Sequence, residues 1–214
     1  MWLGDISNLP KSEQYYLLSE NVRSDHAIGS EFYDGQIECI FTDPTPEDDL
    51  IRSRSEFLEA AESAWGQRIS QLDDEILRLI EELGPPIHLT KREQHTVFDR
   101  LNKICVETLD LKGIKTLLRQ REIDPKDWKQ NKSLEALLKS HAPDAGVSDL
   151  MSPFFVLYDL RVATSHLMSD DSSTSLIQSC LKRLALTDDS MIEDVYGELV
   201  KRLVASYEAF TTIL

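Results

Sequence analysis

Apolar positions after Ser53 repeat with a helical period. Leu58, Ala61, Trp65, Leu72, Ile76, Leu79 and Leu83 follow one another at spacings of three, four or seven, so they share one helix face. Ser53 and Glu56 fit a capping box, in which hydroxyl and carboxylate satisfy free amides at a helix start. Gly84-Pro85-Pro86 closes the pattern, because proline lacks the amide donor and restricts its predecessor. One helix of roughly 30 residues, ~45 Å long, is predicted.

Thr90 and Glu93 repeat the capping signature ahead of Val97, Leu101, Ile104 and Thr108, which predicts a second long helix. Shorter helices are expected at 112–121, 125–130 and 133–140, before the breakers Pro143 and Gly146. The next helix starts near Ser148 or Ser152 and is apolar nearly all round, with Leu150, Phe154, Phe155, Val156, Leu157, Leu160 and Val162. Such a helix is buried on several sides, in a core or a subunit interface. A helix at 172–184 follows. A last one, opened by Ser190 with Glu193 as its capping partner, carries Ile192, Val195, Leu199, Leu203, Tyr207 and Phe210 on one face.

The start of the chain is less regular. A short helix is expected at 12–20 and a brief strand at 36–41, separated by Asn21, Gly29 and Gly35 and followed by Asp43-Pro44-Thr45-Pro46. The expected architecture is therefore all-α: an irregular acidic arm, residues 1–50, and a helical bundle, residues 51–214.

Composition narrows the function classes. A hydrophobic content of 41% supports a real core. No apolar run reaches the ~20 residues that span a bilayer, and Met1-Trp2-Leu3-Gly4-Asp5 lacks the basic and apolar stretches of a secretion signal. Cys39, Cys105 and Cys180 are odd in number and widely spaced, which points to packed, reduced thiols in a cytoplasmic protein. The net charge of −15 argues against a general nucleic-acid coat. Its distribution changes the picture. Residues 1–75 hold 17 acidic and 5 basic residues, while residues 112–132 hold Lys112, Lys115, Arg119, Arg121, Lys126, Lys129 and Lys132 against Glu122, Asp124 and Asp127. Lys112, Lys115, Arg119 and Lys129 are the candidate contacts to a phosphate backbone. A solvated helix face is the simpler reading of the same residues.

Candidate chemistry concentrates at Arg161 and His166, set in a largely apolar segment. A guanidinium grips phosphate through its planar fork, and an imidazole moves a proton near neutral pH. Five helical positions rotate by ~500°, which leaves the two side chains ~140° apart on one straight helix. They converge only if the helix ends near Ser165, or if a twofold axis joins two copies in a shared cleft. Other constellations are weak. Ser24-Asp25-His26 are sequence neighbours without a nucleophile elbow. His88 and His95 lack ligand partners at useful spacing, and no H-E-x-x-H, C-x-x-C, P-loop or G-x-G-x-x-G occurs. No metal site or cofactor is expected.

The stretch Leu157-Tyr158-Asp159-Leu160-Arg161-Val162-Ala163-Thr164-Ser165-His166 resembles the R-x4-6-H signature of the HEPN superfamily. The likeness extends over residues 53–214 as helical order, and its specific part is these ten residues. Residues 13–38, with Ser24-Asp25-His26 and Phe32-Tyr33, also look similar to the region preceding such a domain in uncharacterised bacterial proteins. HEPN domains are helical bundles that usually dimerise, and many are metal-independent endoribonucleases of toxin–antitoxin, phage-defence and CRISPR systems. The resemblance implies that Arg161 holds the scissile phosphate and that His166 transfers the proton. It also implies a homodimer, an RNA substrate and, for a toxin, an antitoxin; separately, the acidic arm offers a site for a basic protein partner. The residue after the arginine, commonly Asn, Asp or His in active members, is Val162 here. The alternative expectation is a non-catalytic dimerisation or interaction module, in which Arg161 pairs with an acid such as Glu193 and His166 closes a helix end.

Overall fold

A computed structural model describes residues 8–19, 44–71, 74–84, 90–165 and 170–214. The chain divides into two units, residues 1–43 and 44–214. In the first, the described structure is one helix, α1 (Lys11–Ser19), close to the expected 12–20. The expected strand at 36–41, the Ser24-Asp25-His26 cluster and Cys39 lie outside the described residues, as do His88 and His166.

The second unit is all-α among the described residues: α2 (Pro46–Trp65), α3 (Asp74–Glu81), α4 (Lys91–Asn102), a π-helical turn (Lys103–Glu107), α5 (Leu111–Gln120), α6 (Gln130–His141), α7 (Val147–Leu150), α8 (Ser152–Ala163), α9 (Asp170–Arg183) and α10 (Ile192–Ile213). None of these helices is long and apolar enough to cross a membrane.

The single helix expected from Ser53 is instead two, and it begins earlier. Thr45 caps α2, with Asp48 closing the capping box and Pro46 in the first turn, where its missing amide costs nothing. Glu47, Asp48 and Asp49 place negative charge at that end, as the helix dipole favours. Ser53 is an interior residue whose hydroxyl donates to the Leu50 carbonyl. The helix stops at Gly66, at φ +67°, a conformation that glycine adopts without strain. The next residues run extended. The Asp110 amide donates to the Ile69 carbonyl at 2.7 Å, and the Gln71 amide to the Thr108 carbonyl at 2.9 Å. Ile69 is fully buried in this segment, so burial continues where the helix does not.

Thr90 caps α4 as expected. The helix then widens into the π-turn, which loosens the regular bonding ladder. Two carbonyls of that turn find side-chain donors: Thr108 Oγ1 to Ile104 at 2.8 Å and Tyr207 Oη to Cys105 at 3.2 Å. The stretch 125–130, expected as a helix, is a turn leading into α6. Ser190 does not cap α10: its hydroxyl accepts from the Thr187 amide, while the Asp194 carboxylate accepts from the Met191 amide.

Aromatic packing holds α2, α8 and α10 together. Phe57 lies 5.7 Å from Tyr207 and 5.4 Å from Phe210, and Phe154 lies 5.3 Å and 5.7 Å from the same two rings. Tyr196 donates to Glu47 at the start of both helices, so α2 and α10 run parallel. The α8 and α9 helices run antiparallel, tied by Ser173 to the Ala163 carbonyl at one end and Arg183 to Asp159 towards the other. Arg202 of α10 donates to the carbonyls of Arg183 and Leu184, satisfying acceptors that the end of α9 leaves open. The α8 helix is thereby packed on three sides, though Tyr158 is exposed and Phe155 and Val162 are half-buried.

Candidate functional site

Arg161 sits in the last turn of α8, with 31% of its side chain exposed. Its Nε donates to Asp99 Oδ1 of α4 at 2.6 Å, and its Nη2 lies 3.4 Å from Glu107 Oε1 in the π-turn. The partner suggested from sequence, Glu193, is replaced by these two acids. Asp99 also pairs with Lys103 one turn on, at 3.3 Å. Burial alone pushes the Asp99 carboxyl upward, but hydrogen bonds and charge from Arg161 and Lys103 outweigh it, and its pKa is held below the ordinary aspartate value.

His95, one turn before Asp99, faces the Arg161 carbonyl, with Nδ1 at 3.3 Å. A carbonyl only accepts, so this hydrogen bond requires a proton on Nδ1. Thr164 Oγ1 lies 3.3 Å from the same carbonyl. Helix α4 therefore holds the end of α8 by both its backbone and its guanidinium. Asn102 extends the cluster: its Nδ2 donates to Glu107 at 2.9 Å, while its buried Oδ1 has no partner among the described residues. The four formal charges, Arg161, Lys103, Asp99 and Glu107, balance.

Arg161 stood out in the sequence, but the residues around it did not. His95, Asp99 and Lys103 recur every four residues, a polar stripe beside the apolar positions Val97, Leu101 and Ile104. That stripe was the available signal. Nothing local linked it to Arg161, 62 residues beyond Asp99. Whether His166 joins the cluster falls outside the described residues.

The candidate phosphate-binding cations occupy a different part of the bundle. Lys112, Lys115 and Arg119 lie along the outer face of α5, whose inner face buries Gly113, Ile114, Leu117 and Leu118. Lys129 is the cap residue of α6. Lys115 Nζ donates to the Lys126 carbonyl at 3.1 Å, which draws the two basic segments together. Asn131, in the first turn of α6, donates to the Phe154 carbonyl at 3.1 Å, so the hairpin is anchored near the opposite end of α8 from Arg161.

The two described thiols are packed in the interior. Cys105 and Cys180 are buried, and burial pushes them up to about 11 and about 12. Among the described residues no cluster of three His, Cys, Asp or Glu side chains could hold a metal ion. No protein-family model, curated protein or solved structure matches this chain.

Proposed function

We propose that the protein is a metal-independent endoribonuclease of the HEPN type, acting as a cytoplasmic homodimer in bacterial stress response or phage defence. The observation that carries this reading is Arg161 itself. It is a solvent-reachable guanidinium at the end of a largely apolar helix, oriented through Nε by a carboxylate, five residues before His166. A carboxylate behind a guanidinium fixes its plane and aims its outer edge, as phosphate recognition requires.

The reaction follows from elementary chemistry. The ribose 2′-oxygen forms a bond to phosphorus as the bond to the 5′-oxygen breaks. His166 takes the 2′-hydroxyl proton or supplies one to the departing oxygen. Arg161 stabilises the charge that builds on the phosphoryl oxygens. The nucleophile is already part of the substrate, so proximity supplies much of the rate. The products are a 2′,3′-cyclic phosphate and a 5′-hydroxyl.

A second reading is favoured by a specific observation. Asp99 and Glu107 already neutralise Arg161, and Val162 offers no polar partner. On that reading Arg161 is an interhelical strut in a non-catalytic dimerisation module.

RNA cleavage in EDTA separates the two. The ribonuclease reading expects cleavage by wild type, and loss of cleavage in His166→Ala and Arg161→Lys while sedimentation still shows a dimer. Absence of cleavage by wild type, or undiminished cleavage by His166→Ala, leaves only the module.

A further inference from the structure

The α5–α6 hairpin carries charge of the wrong sign for this molecule. In a chain of net charge −15, it presents Lys112, Lys115, Arg119, Lys126, Lys129 and Lys132 on two adjoining segments. All are exposed except the half-buried Lys115. Among the described residues none of the six is in an ion pair, whereas Arg100, Arg161, Arg183 and Arg202 are each paired with a carboxylate.

Nearby acids offset the patch only in part, and none is ion-paired to it among the described residues. Asp110 is engaged by the Lys112 amide and Asp124 by the Lys126 amide, both through their side chains. Glu122 and Asp127 remain as exposed counter-charges. The hydrogen bond from Lys115 Nζ to the Lys126 carbonyl ties α5 to the basic segment ahead of α6 without supplying a counter-charge. At the start of α6 the sign is again inverted. The helix dipole favours anions there, yet Lys129 is the cap residue without a side-chain hydrogen bond, Lys132 follows in the first turn, and no acid is present. Clustered, unpaired cations repel one another, and a polyanion relieves that repulsion.

We infer that the α5–α6 hairpin is a docking surface for the backbone of single-stranded RNA. A flexible strand can follow the turn from α5 to α6, while the acidic remainder of the molecule repels a long rigid duplex. This surface is distinct from Arg161 and does not need Arg161 to be catalytic.

The test uses the full chain and a fluorescein-labelled oligouridylate of about 20 nucleotides, followed by fluorescence anisotropy. Affinity falls with salt, and removing one cation that neutralises a phosphate flattens the slope of log K against log salt by ~0.7. Lys112→Gln/Arg119→Gln and Lys129→Gln/Lys132→Gln each weaken binding about tenfold and flatten the slope. Lys201→Gln, an exposed cation of α10, leaves both unchanged. Arg161→Lys keeps binding, so loss of cleavage with retained binding counts against the catalytic site and not against this surface. Circular dichroism verifies that each variant is folded. The inference is overturned if wild type does not bind, if the hairpin variants bind like wild type, if Lys201→Gln weakens binding as much as they do, or if phosphatidylserine vesicles are bound more tightly than the RNA.

Discussion

Asp99 shows how one side chain couples stability to the candidate site. Its pKa lies below that of an unfolded aspartate, about 3.9, because Arg161 and Lys103 favour the charged form over the opposing effect of burial. A depressed folded-state pKa stabilises the protein above the unfolded value and is lost as pH falls through the folded value. Asp99→Asn should therefore cost about 1 kcal/mol at pH 7, a partly exposed pair being worth less than a buried one. The gap between wild type and variant should close below about pH 4. Urea unfolding at pH 7 and pH 3 measures it, and a gap that is constant with pH contradicts the assignment. The chemical character of Arg161 was readable in the sequence, since an arginine in an apolar helix needs a partner. Which acid answers it was not, because the pairing depends on how α4 and α8 lie against each other.

At the level of elements, amphipathic periodicity was the most legible signal, and it found the helical bundle. It failed where burial persists without a helix, as at Ile69, and where a turn keeps helical spacing, as at 125–130. Two helix ends use a motif with an unusual residue. The Leu186 amide donates to the Leu181 carbonyl and the Ala185 amide to Lys182, with Ala185 at φ +58°. The Ile123 amide donates to Leu118 and the Glu122 amide to Arg119, with Glu122 at φ +60°. Both are Schellman ends in which glycine is the favoured residue at the left-handed position. Leu186 and Ile123 then fold back onto the core. Without glycine as punctuation, these motifs were invisible in sequence. Ala185→Gly should stabilise the protein by about 1 kcal/mol, since a left-handed conformation costs a side-chain-bearing residue roughly that much. Its melting temperature should rise by about 2–4 °C for a domain of this size. A fall in melting temperature contradicts the proposed relief of strain.

For the whole molecule, charge and packing are segregated. The aromatic junction of Phe57, Phe154, Tyr207 and Phe210 joins α2, α8 and α10. Arg161 stands at one end of α8, and the basic hairpin is tied near the other through Asn131. Phe154 and Arg161 are seven residues apart on α8, ~10 Å along its axis. Assembly was the least legible level. Two copies sharing a cleft is one of two expectations drawn from the ~140° divergence of Arg161 and His166 on a straight helix; the other is a helix that ends near Ser165, and α8 does end at Ala163.

Subunit complementation tests that claim most directly. Arg161→Lys and His166→Ala protomers are assayed separately in EDTA, then unfolded together, refolded as a mixture and assayed again. If each cleft takes its arginine from one copy and its histidine from the other, each variant alone is inactive. Mixed dimers then regain one complete cleft, and activity returns to about a quarter of wild type for random pairing. A mixture as inactive as its components, beside a wild-type dimer that cleaves RNA, contradicts the shared cleft. A wild-type dimer that cleaves nothing contradicts the ribonuclease itself.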